Sequence, residues 1–306
     1  MIILGAISIF GFRALWSPFF LLTILVITVL YFLTTTVWRK HFKESEPLKP
    51  KQAIYFILAM FLIYAVKGSP IDLMGHIMFT MHMVQMSILV MIIPPLFILA
   101  IPNWLWLSFL RLPVIKQVFR LFTKPVISVI LFNVFFSLYH LPLVFDAIKK
   151  NGAAHGLYTL FLFVLAIFLW WPMINNIPGQ SQLSGVKKVA YLITSAILLT
   201  PACGIIIFAG HPIYQTYSDS TSWLQAMSLC VPTETLASLN LSGPELFSPM
   251  PVLEDQQLGG VIMKIVQEIV DIIVLGKILF EWFRKDQEEA EKLTEMMLAN
   301  KPEPVK

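Results

Sequence analysis

Charged residues are scarce in this chain of 306 residues. Lys, Arg, Asp and Glu together make up 13% of the sequence, whereas 57% of the residues are hydrophobic and the mean hydropathy is +0.77. Soluble globular domains carry about 25% charged residues. The composition therefore excludes a soluble globular domain and indicates an integral membrane protein.

Cysteine is also nearly absent, since the chain has only Cys203 and Cys230. Two cysteines are too few for a disulfide framework. Cys203 lies in a segment apolar enough to cross the membrane and Cys230 lies in a long loop, so a bridge would require the loop to fold into the bilayer. We therefore expect two free thiols, with Cys203 as a packing residue in preference to a metal ligand.

Signatures of catalysis and of nucleic-acid binding are missing as well. The sequence contains no phosphate-binding glycine loop, no nucleophile–base arrangement and no paired-carboxylate site. Its net charge of +4 is spread over the connections between apolar segments and is not gathered in a basic patch. We therefore expect no enzymatic turnover and no binding of nucleic acid.

Long apolar segments dominate the chain. A helix needs about 20 apolar residues to cross the roughly 30 Å hydrocarbon core, and only helices satisfy their own backbone hydrogen bonds there. Seven segments qualify or nearly qualify: 15–37, 52–66 (the shortest), 74–99, 125–148, 156–175, 188–210 and 258–280. We expect an all-α polytopic bundle of seven transmembrane helices over 1–283, followed by a charged tail over 284–306.

The basic residues orient this bundle in the lipid bilayer. Most of the 22 Lys and Arg lie in alternate connections and in the tail, namely 38–51, 100–124, 176–188 and the residues from Glu281 onwards. The positive-inside rule places these segments in the cytoplasm, which puts the N-terminus outside and the C-terminus inside. Lys149 and Lys150 fall on the outer side and oppose this assignment.

The longest outer connection, 211–256, is acidic. It holds Asp219, Glu234, Glu245, Glu254 and Asp255 and has neither Lys nor Arg. It is also rich in Pro, Ser and Thr, and long loops between packed helices are usually functional or disordered. We expect a flexible flap over the outer face.

Histidine is gathered on one side of the membrane. Five of the six histidines fall at or near predicted outer helix ends: His76, His82, His140, His155 and His211. A polar side chain in hydrocarbon needs a partner and is by default a functional candidate. The stretch MGHIMFTMHMVQM (74–86) adds methionines, and imidazole together with thioether favours Cu(I) over harder metals.

Helical spacing selects the candidate ligands. In one helix over 74–99, Met78, His82 and Met86 share a face with Gln85 beside it, and His76 and Met83 share another. The proposed ligands are His76, His82, Met83, Met86, His140 and His155, with Met78, Gln85, His211 and Asp255 as accessory groups. Methionine is also a common filler of apolar cores, so simple packing remains the alternative for the thioethers.

The last apolar segment carries a polar stripe. Lys264, Glu268 and Asp271 are spaced i, i+4 and i+7, which places them on one helix face with Gln267. One interpretation is an ion pair that is buried or reaches towards the membrane surface. The other is a stripe that docks a partner or conducts ions, and both remain open at this point.

An ordered set of short motifs resembles a known family. The motifs are ALWSP (14–18), HMVQM (82–86) followed by PP (94–95), HLP (140–142), His155, FLWWP (168–172), HPIYQTY (211–217) and DQQLGG (255–260) with Met263. Together they resemble the CtaG-type assembly factors of bacterial caa-type cytochrome c oxidase, over about 14–283. Many members have His where this chain has Met86 and an aromatic residue where it has Lys264.

The resemblance implies a multi-pass protein of the bacterial plasma membrane that is required to make the oxidase active. The implied partners are oxidase subunits and a copper donor protein, and the implied route is copper supply to subunit II or to the catalytic subunit. Met86 in place of His keeps a soft-metal ligand and so favours copper over a bis-imidazole haem site.

Other functions remain open from the sequence. A haem-binding membrane oxidoreductase would take axial ligands from His82, His140 and His155. A chaperone could bind oxidase subunits without any metal. A transporter or receptor-like seven-helix protein is the last alternative, and the stripe at Lys264 is the only hint of it.

Overall fold

The computed structural model describes residues 7–238, 243, 247, 248 and 250–299, and all its regular secondary structure within these residues is helical. This confirms the all-α fold class. After two short turns at Ser8–Phe10 and Phe12–Leu15, the helices are α1 (Pro18–His41), α2 (Pro50–Lys67), α3 (Pro70–Ile77), α4 (Phe79–Ala100), α5 (Asn103–Leu110), α6 (Pro113–Phe122), α7 (Pro125–Tyr139), α8 (Pro142–Lys149), α9 (Gly152–Ile174), α10 (Val186–Ile207), α11 (Gln215–Ser218), α12 (Ser220–Met227), α13 (Thr233–Ser238) and α14 (Val252–Ala299).

Proline sets many of these boundaries. Six helices begin with it, at Pro18, Pro50, Pro70, Pro113, Pro125 and Pro142. The first residue of a helix has no intrahelical use for its N–H group, and the fixed φ of proline already suits a helix. The prolines therefore divide the apolar sequence into more and shorter helices than its hydropathy alone predicts.

Within the described residues, five helices are long and apolar enough to span a bilayer, namely α1, α2, α4, α9 and α10. A sixth span is present if α6 and α7, which meet at 83°, are taken as one broken span. The protein is thus a multi-pass membrane protein. The predicted seventh span lies inside α14, which is long enough to cross a bilayer but carries the charges of Lys264, Glu268 and Asp271. The count of seven spans and the orientation in the membrane therefore remain predictions.

The predicted helix over 74–99 is wrong at its start. Met78 is extended (φ −129°, ψ 139°), so α3 ends at Ile77 and α4 begins at Phe79. Both carboxylate oxygens of Asp255 accept hydrogen bonds from the first N–H groups of α4, 2.7 Å from Phe79 N and 3.2 Å from Thr80 N. This cap from a distant part of the chain stabilises the start of α4, for which the local sequence gives no signal.

The break changes the predicted helix faces. His82 and Met86 remain one turn apart on α4, but Met78 precedes the helix and His76 belongs to α3. The shared faces Met78–His82–Met86 and His76–Met83 are therefore wrong, as is the placement of both histidines along one axis.

The predicted helix over 125–148 is also interrupted, because α7 ends at Tyr139 and α8 starts at Pro142. Proline lacks the N–H group that would continue the ladder, and its ring excludes the carbonyl four residues before it. His140 therefore lies at an open helix end, between α7 and α8.

The described part of the 211–256 connection is packed and not a flexible flap. It forms α11, α12 and α13, and Tyr214, Tyr217 and Trp223 are fully buried. Asp146 of α8 anchors it, since its carboxylate accepts hydrogen bonds from Gln215 N (3.0 Å) and from Thr216 N (2.9 Å). Glu245 lies outside the described residues.

α14 closes the bundle against α4 and α10. A Cβ atom at Gly259 would lie 2.7 Å from the Phe79 ring, and one at Gly260 would lie 2.8 Å from Ile207. Small residues let membrane helices approach this closely, which explains the two glycines of the DQQLGG motif. The charged tail continues α14 as a solvated helix with an Arg284–Glu288 ion pair of 3.7 Å.

Candidate functional site

Four of the predicted histidines meet at one end of the bundle. His76 comes from α3, His82 from α4, His155 from α9, and His140 directly follows α7, and all four are buried. The ring of His155 lies 5.6 Å from that of His76 and 6.2 Å from that of His82, between ring centroids. We refer to these four residues as the histidine cluster.

Several nitrogen atoms in the histidine cluster have no hydrogen-bond partner among the described residues. They are Nδ1 of His76, both ring nitrogens of His82, and Nε2 of His140 and of His155. Buried polar atoms are normally paired, and an unpaired one calls for an explanation such as an ion or a water. The cluster therefore presents lone pairs that the fold itself does not use.

Two hydrogen-bonding contacts orient the rings. His140 Nδ1 donates to the Phe136 carbonyl at 2.8 Å, which leaves the Nε2 lone pair of a neutral ring free. His155 Nδ1 lies 3.3 Å from the hydroxyl of Tyr139. Proteins commonly orient a metal-binding imidazole in this way, by a hydrogen bond to the ring nitrogen that does not bind the metal.

Lys149 is a member of the site that the sequence analysis did not assign. Its side chain is completely buried, and its ammonium donates to the Gly75 carbonyl at 3.1 Å. The hydroxyl of Tyr217 donates to the same carbonyl at 2.7 Å, and Trp223 Nε1 donates to the Ile77 carbonyl at 3.3 Å. These donors satisfy the last carbonyls of α3, where the helix dipole favours a cation.

Burial also alters the charge of this end of the bundle. It lowers the pKa of Lys149 to about 7, assisted by repulsion from Lys67. Burial, followed by the charges of Lys149 and Lys67, lowers the pKa of His76 well below its ordinary value. His76 is therefore neutral at physiological pH and keeps a lone pair. The sequence did give one signal for Lys149, since it is a basic residue on the predicted outer side, where the positive-inside rule expects few.

Aromatic side chains surround the cluster. The ring of His82 lies within about 6 Å of the rings of Phe79, Tyr139 and Phe145. The hydroxyl of Tyr214 donates to the His140 carbonyl at 2.7 Å, which joins the HPIYQTY motif to the HLP motif. Sequence reasoning missed Phe79, Tyr139 and Phe145, because an aromatic residue in an apolar segment gives no separate signal.

The methionines are placed differently from the histidines. Met83 contacts α14, since its Cγ lies 3.1 Å from where a Cβ of Gly259 would be. Met86 is buried in the main core one turn after His82, and Met78 packs with a second apolar cluster around Trp223. These contacts are those of packing residues.

The accessory groups are engaged elsewhere. The Gln85 amide donates to the Asp72 carboxylate at 2.6 Å and to the Val66 carbonyl. Asp255 caps α4, and His211 is exposed beyond α10. Cys203 is a buried free thiol and Cys230 a partly buried one, which confirms the prediction of two free cysteines.

A metal site of three or more His, Cys, Asp or Glu side chains is not found among the described residues. Pairs of imidazoles remain. A metal–nitrogen bond of about 2 Å places the ring centroids of two liganding imidazoles roughly 5–6 Å apart. The separations in the two pairs that share His155, 5.6 and 6.2 Å, are of that size.

The polar stripe of α14 is a hydrogen-bonded ladder. Lys264 Nζ lies 2.8 Å from Glu268 Oε1 and donates to Thr200 Oγ1 of α10 at 3.2 Å. The Gln267 amide donates to Asp271 Oδ2 at 3.1 Å. The ion pair of the first interpretation is therefore present, at the junction of α14 and α10.

Comparison with known proteins shows which proteins and which family this chain is similar to. The chain is similar to uncharacterized proteins of Mycobacterium bovis and Mycobacterium tuberculosis, each 25% identical over 244 residues. The match covers 74% of this chain and 33% of each relative, so the chain spans about a third of their length. No solved structure matches significantly. The model of the cytochrome c oxidase caa3 assembly factor family matches residues 29–285, and the chain belongs to that family.

Proposed function

We propose that this protein helps to assemble a caa-type cytochrome c oxidase, and that it does so by carrying Cu(I) as cargo on the histidine cluster. Family membership supports the assembly role. The observation that carries the copper role is the set of buried imidazole nitrogens that have no hydrogen-bond partner in the described part of the chain. Oxidase subunits would receive the copper, and a copper donor protein would supply it.

Cu(I) suits this arrangement for three reasons. It is a soft ion that accepts imidazole and has few geometric demands, so two ligands suffice. Lone pairs are present because His140 donates through Nδ1 and His76 is neutral. A site with two ligands also leaves positions through which a receiving protein can take the ion. The nearby charge of Lys149 weakens cation binding, which suits release.

The haem alternative fits less well. A haem macrocycle between His82 and His155 would have to displace rings that pack against His82, notably Phe145 at 5.1 Å and Tyr139 at 5.9 Å. A single metal ion between the imidazoles would not need to displace these rings. The packing therefore favours an ion, and we expect the purified protein to lack a Soret band.

Copper content tests the proposal directly. The full-length protein is purified in detergent after loading with Cu(I) under reducing conditions, and copper per chain is measured. We expect about one Cu(I) in the wild type, a large loss in His155→Ala because His155 neighbours both His76 and His82, and no change in His211→Ala, since His211 is exposed. Equal copper in all three proteins would show that the histidine cluster does not hold the ion, and a wild type without copper would leave an assembly factor that works without metal.

A further inference from the structure

One face of α14 is not covered by any other described part of the chain. Ile265, Ile269, Ile272 and Phe280 recur at intervals of three, four and eight residues, so they form one row, and all are exposed. Gly276 lies in the same row, and a Cβ added there would meet open space. An apolar row with a glycine lets the backbone of another membrane helix approach closely.

Charge borders this apolar row. Glu268 lies at its edge, and 51% of its side chain is exposed although it pairs with Lys264. Asp271 is the second carboxylate of the ladder, and among the described residues its hydrogen bond comes from the neutral amide of Gln267. The ladder thus has one cation for two carboxylates, and its net charge is negative.

The ladder lies at membrane depth. Lys264 contacts Thr200, which is seven residues, or about 10 Å, before the end of the spanning helix α10. Glu268 and Asp271 lie one and two turns further along α14, beside the interior of that span. A carboxylate exposed to lipid at this depth is costly and is normally turned towards a partner or water.

We propose that this face, consisting of Ile265, Glu268, Ile269, Ile272, Gly276 and Phe280, docks a transmembrane helix of an oxidase subunit. The occupant carries a lysine or arginine that pairs with Glu268 and balances the second carboxylate. Its apolar side chains pack against the isoleucines, and Gly276 admits its backbone. The proposal rests on the oxidase partnership proposed above, but it is independent of copper.

Site-specific photo-crosslinking in cells that make the oxidase tests this interface. A photoreactive residue replaces Ile272 on the docking face or, as the control, Leu160 on the lipid-exposed side of α9, and adducts are identified with antibodies to each oxidase subunit. We expect an oxidase adduct from position 272 and little from position 160. Glu268→Gln should reduce that adduct roughly threefold to tenfold, the size expected for an intramembrane polar contact. Glu288→Gln in the solvated tail should leave it unchanged.

Three results would overturn the proposal: no oxidase adduct from position 272 at normal membrane abundance, adducts only with a second copy of this chain, or an adduct that Glu268→Gln does not reduce. Oxidase activity is measured in the same strains and in one that lacks the protein. Activity that requires the protein without any adduct at 272 rejects the docking face alone. Full activity without the protein rejects the assembly role itself.

Discussion

At the scale of single residues, the site depends on groups that the fold buries without pairing. The histidines could be found from the sequence, because imidazole is conspicuous in an apolar segment. The structural roles of Lys149, Tyr217 and Asp255 could not be predicted, although Asp255 was named as an accessory ligand, since their partners come from elements far away in the chain: Gly75 for the first two and the start of α4 for the third. Residue chemistry shows which groups need a partner, but only the tertiary fold supplies it.

Lys149 should impose a pH dependence on stability. Its pKa falls from 10.5 to about 7 on folding, so between these values the unfolded chain binds more protons than the folded one. The stability of the folded state therefore rises with pH over this interval, and the penalty is fully present below about pH 7. We expect a smaller rise in Lys149→Met, measured as thermal unfolding midpoints in detergent from pH 6 to 9.

The same substitution should affect copper. Removal of a positive charge near the histidine cluster should strengthen Cu(I) binding, whereas the Tyr217 hydroxyl still satisfies the Gly75 carbonyl. Lys150→Met is the control, because Lys150 is the adjacent, less buried lysine. Weaker or unchanged copper binding in Lys149→Met alone would show that Lys149 does not oppose the ion.

At the scale of elements, hydropathy located the apolar segments but not where helices break inside them. Pro142 is a local signal for the end of α7, because proline is disfavoured inside a helix, although Pro172 and Pro201 do lie inside α9 and α10. The break at Met78 had no such signal, since it depends on a carboxylate from α14, 176 residues away. Helix starts capped by tertiary contacts are therefore the boundaries that local reasoning misses.

Asp255 should hold the start of α4 and thus the position of His82. Asp255→Ala removes the acceptor for the Phe79 and Thr80 N–H groups, and loss of such a cap costs about 1–2 kcal/mol. We expect a lower unfolding midpoint and reduced copper content. Glu254→Ala, which removes the neighbouring exposed carboxylate, should change neither quantity. Equal behaviour of the two variants would argue against the cap.

At the scale of the whole molecule, composition was sufficient to predict a multi-pass helical membrane protein. Composition did not predict the number of spans. The charges inside α14 and the 83° bend between α6 and α7 leave open whether these segments are counted as spans. For the 211–256 connection, composition led to a wrong prediction. Its polar composition suggested flexibility, whereas three buried aromatic side chains, Tyr214, Tyr217 and Trp223, pack its described part onto the bundle.

The orientation in the membrane makes a prediction for reporter fusions. The distribution of Lys and Arg puts Lys43, Lys116 and Arg284 in the cytoplasm and Ser238 outside. Cytoplasmic reporters should be active at the first three positions and inactive at Ser238. Cytoplasmic activity at Ser238 would place the histidine cluster at the inner face, where it could not serve an outer copper centre.

Oxidase activity in living cells tests the central claim most directly. A strain that lacks this protein is complemented with the wild type, His155→Ala or His211→Ala at matched membrane abundance, and caa-type oxidase activity is measured. Copper carriage by the histidine cluster predicts that His155→Ala, which removes the ring shared by both imidazole pairs, loses most of the activity, whereas His211→Ala, with its exposed ring, keeps it. Full activity with His155→Ala would contradict copper carriage by this cluster.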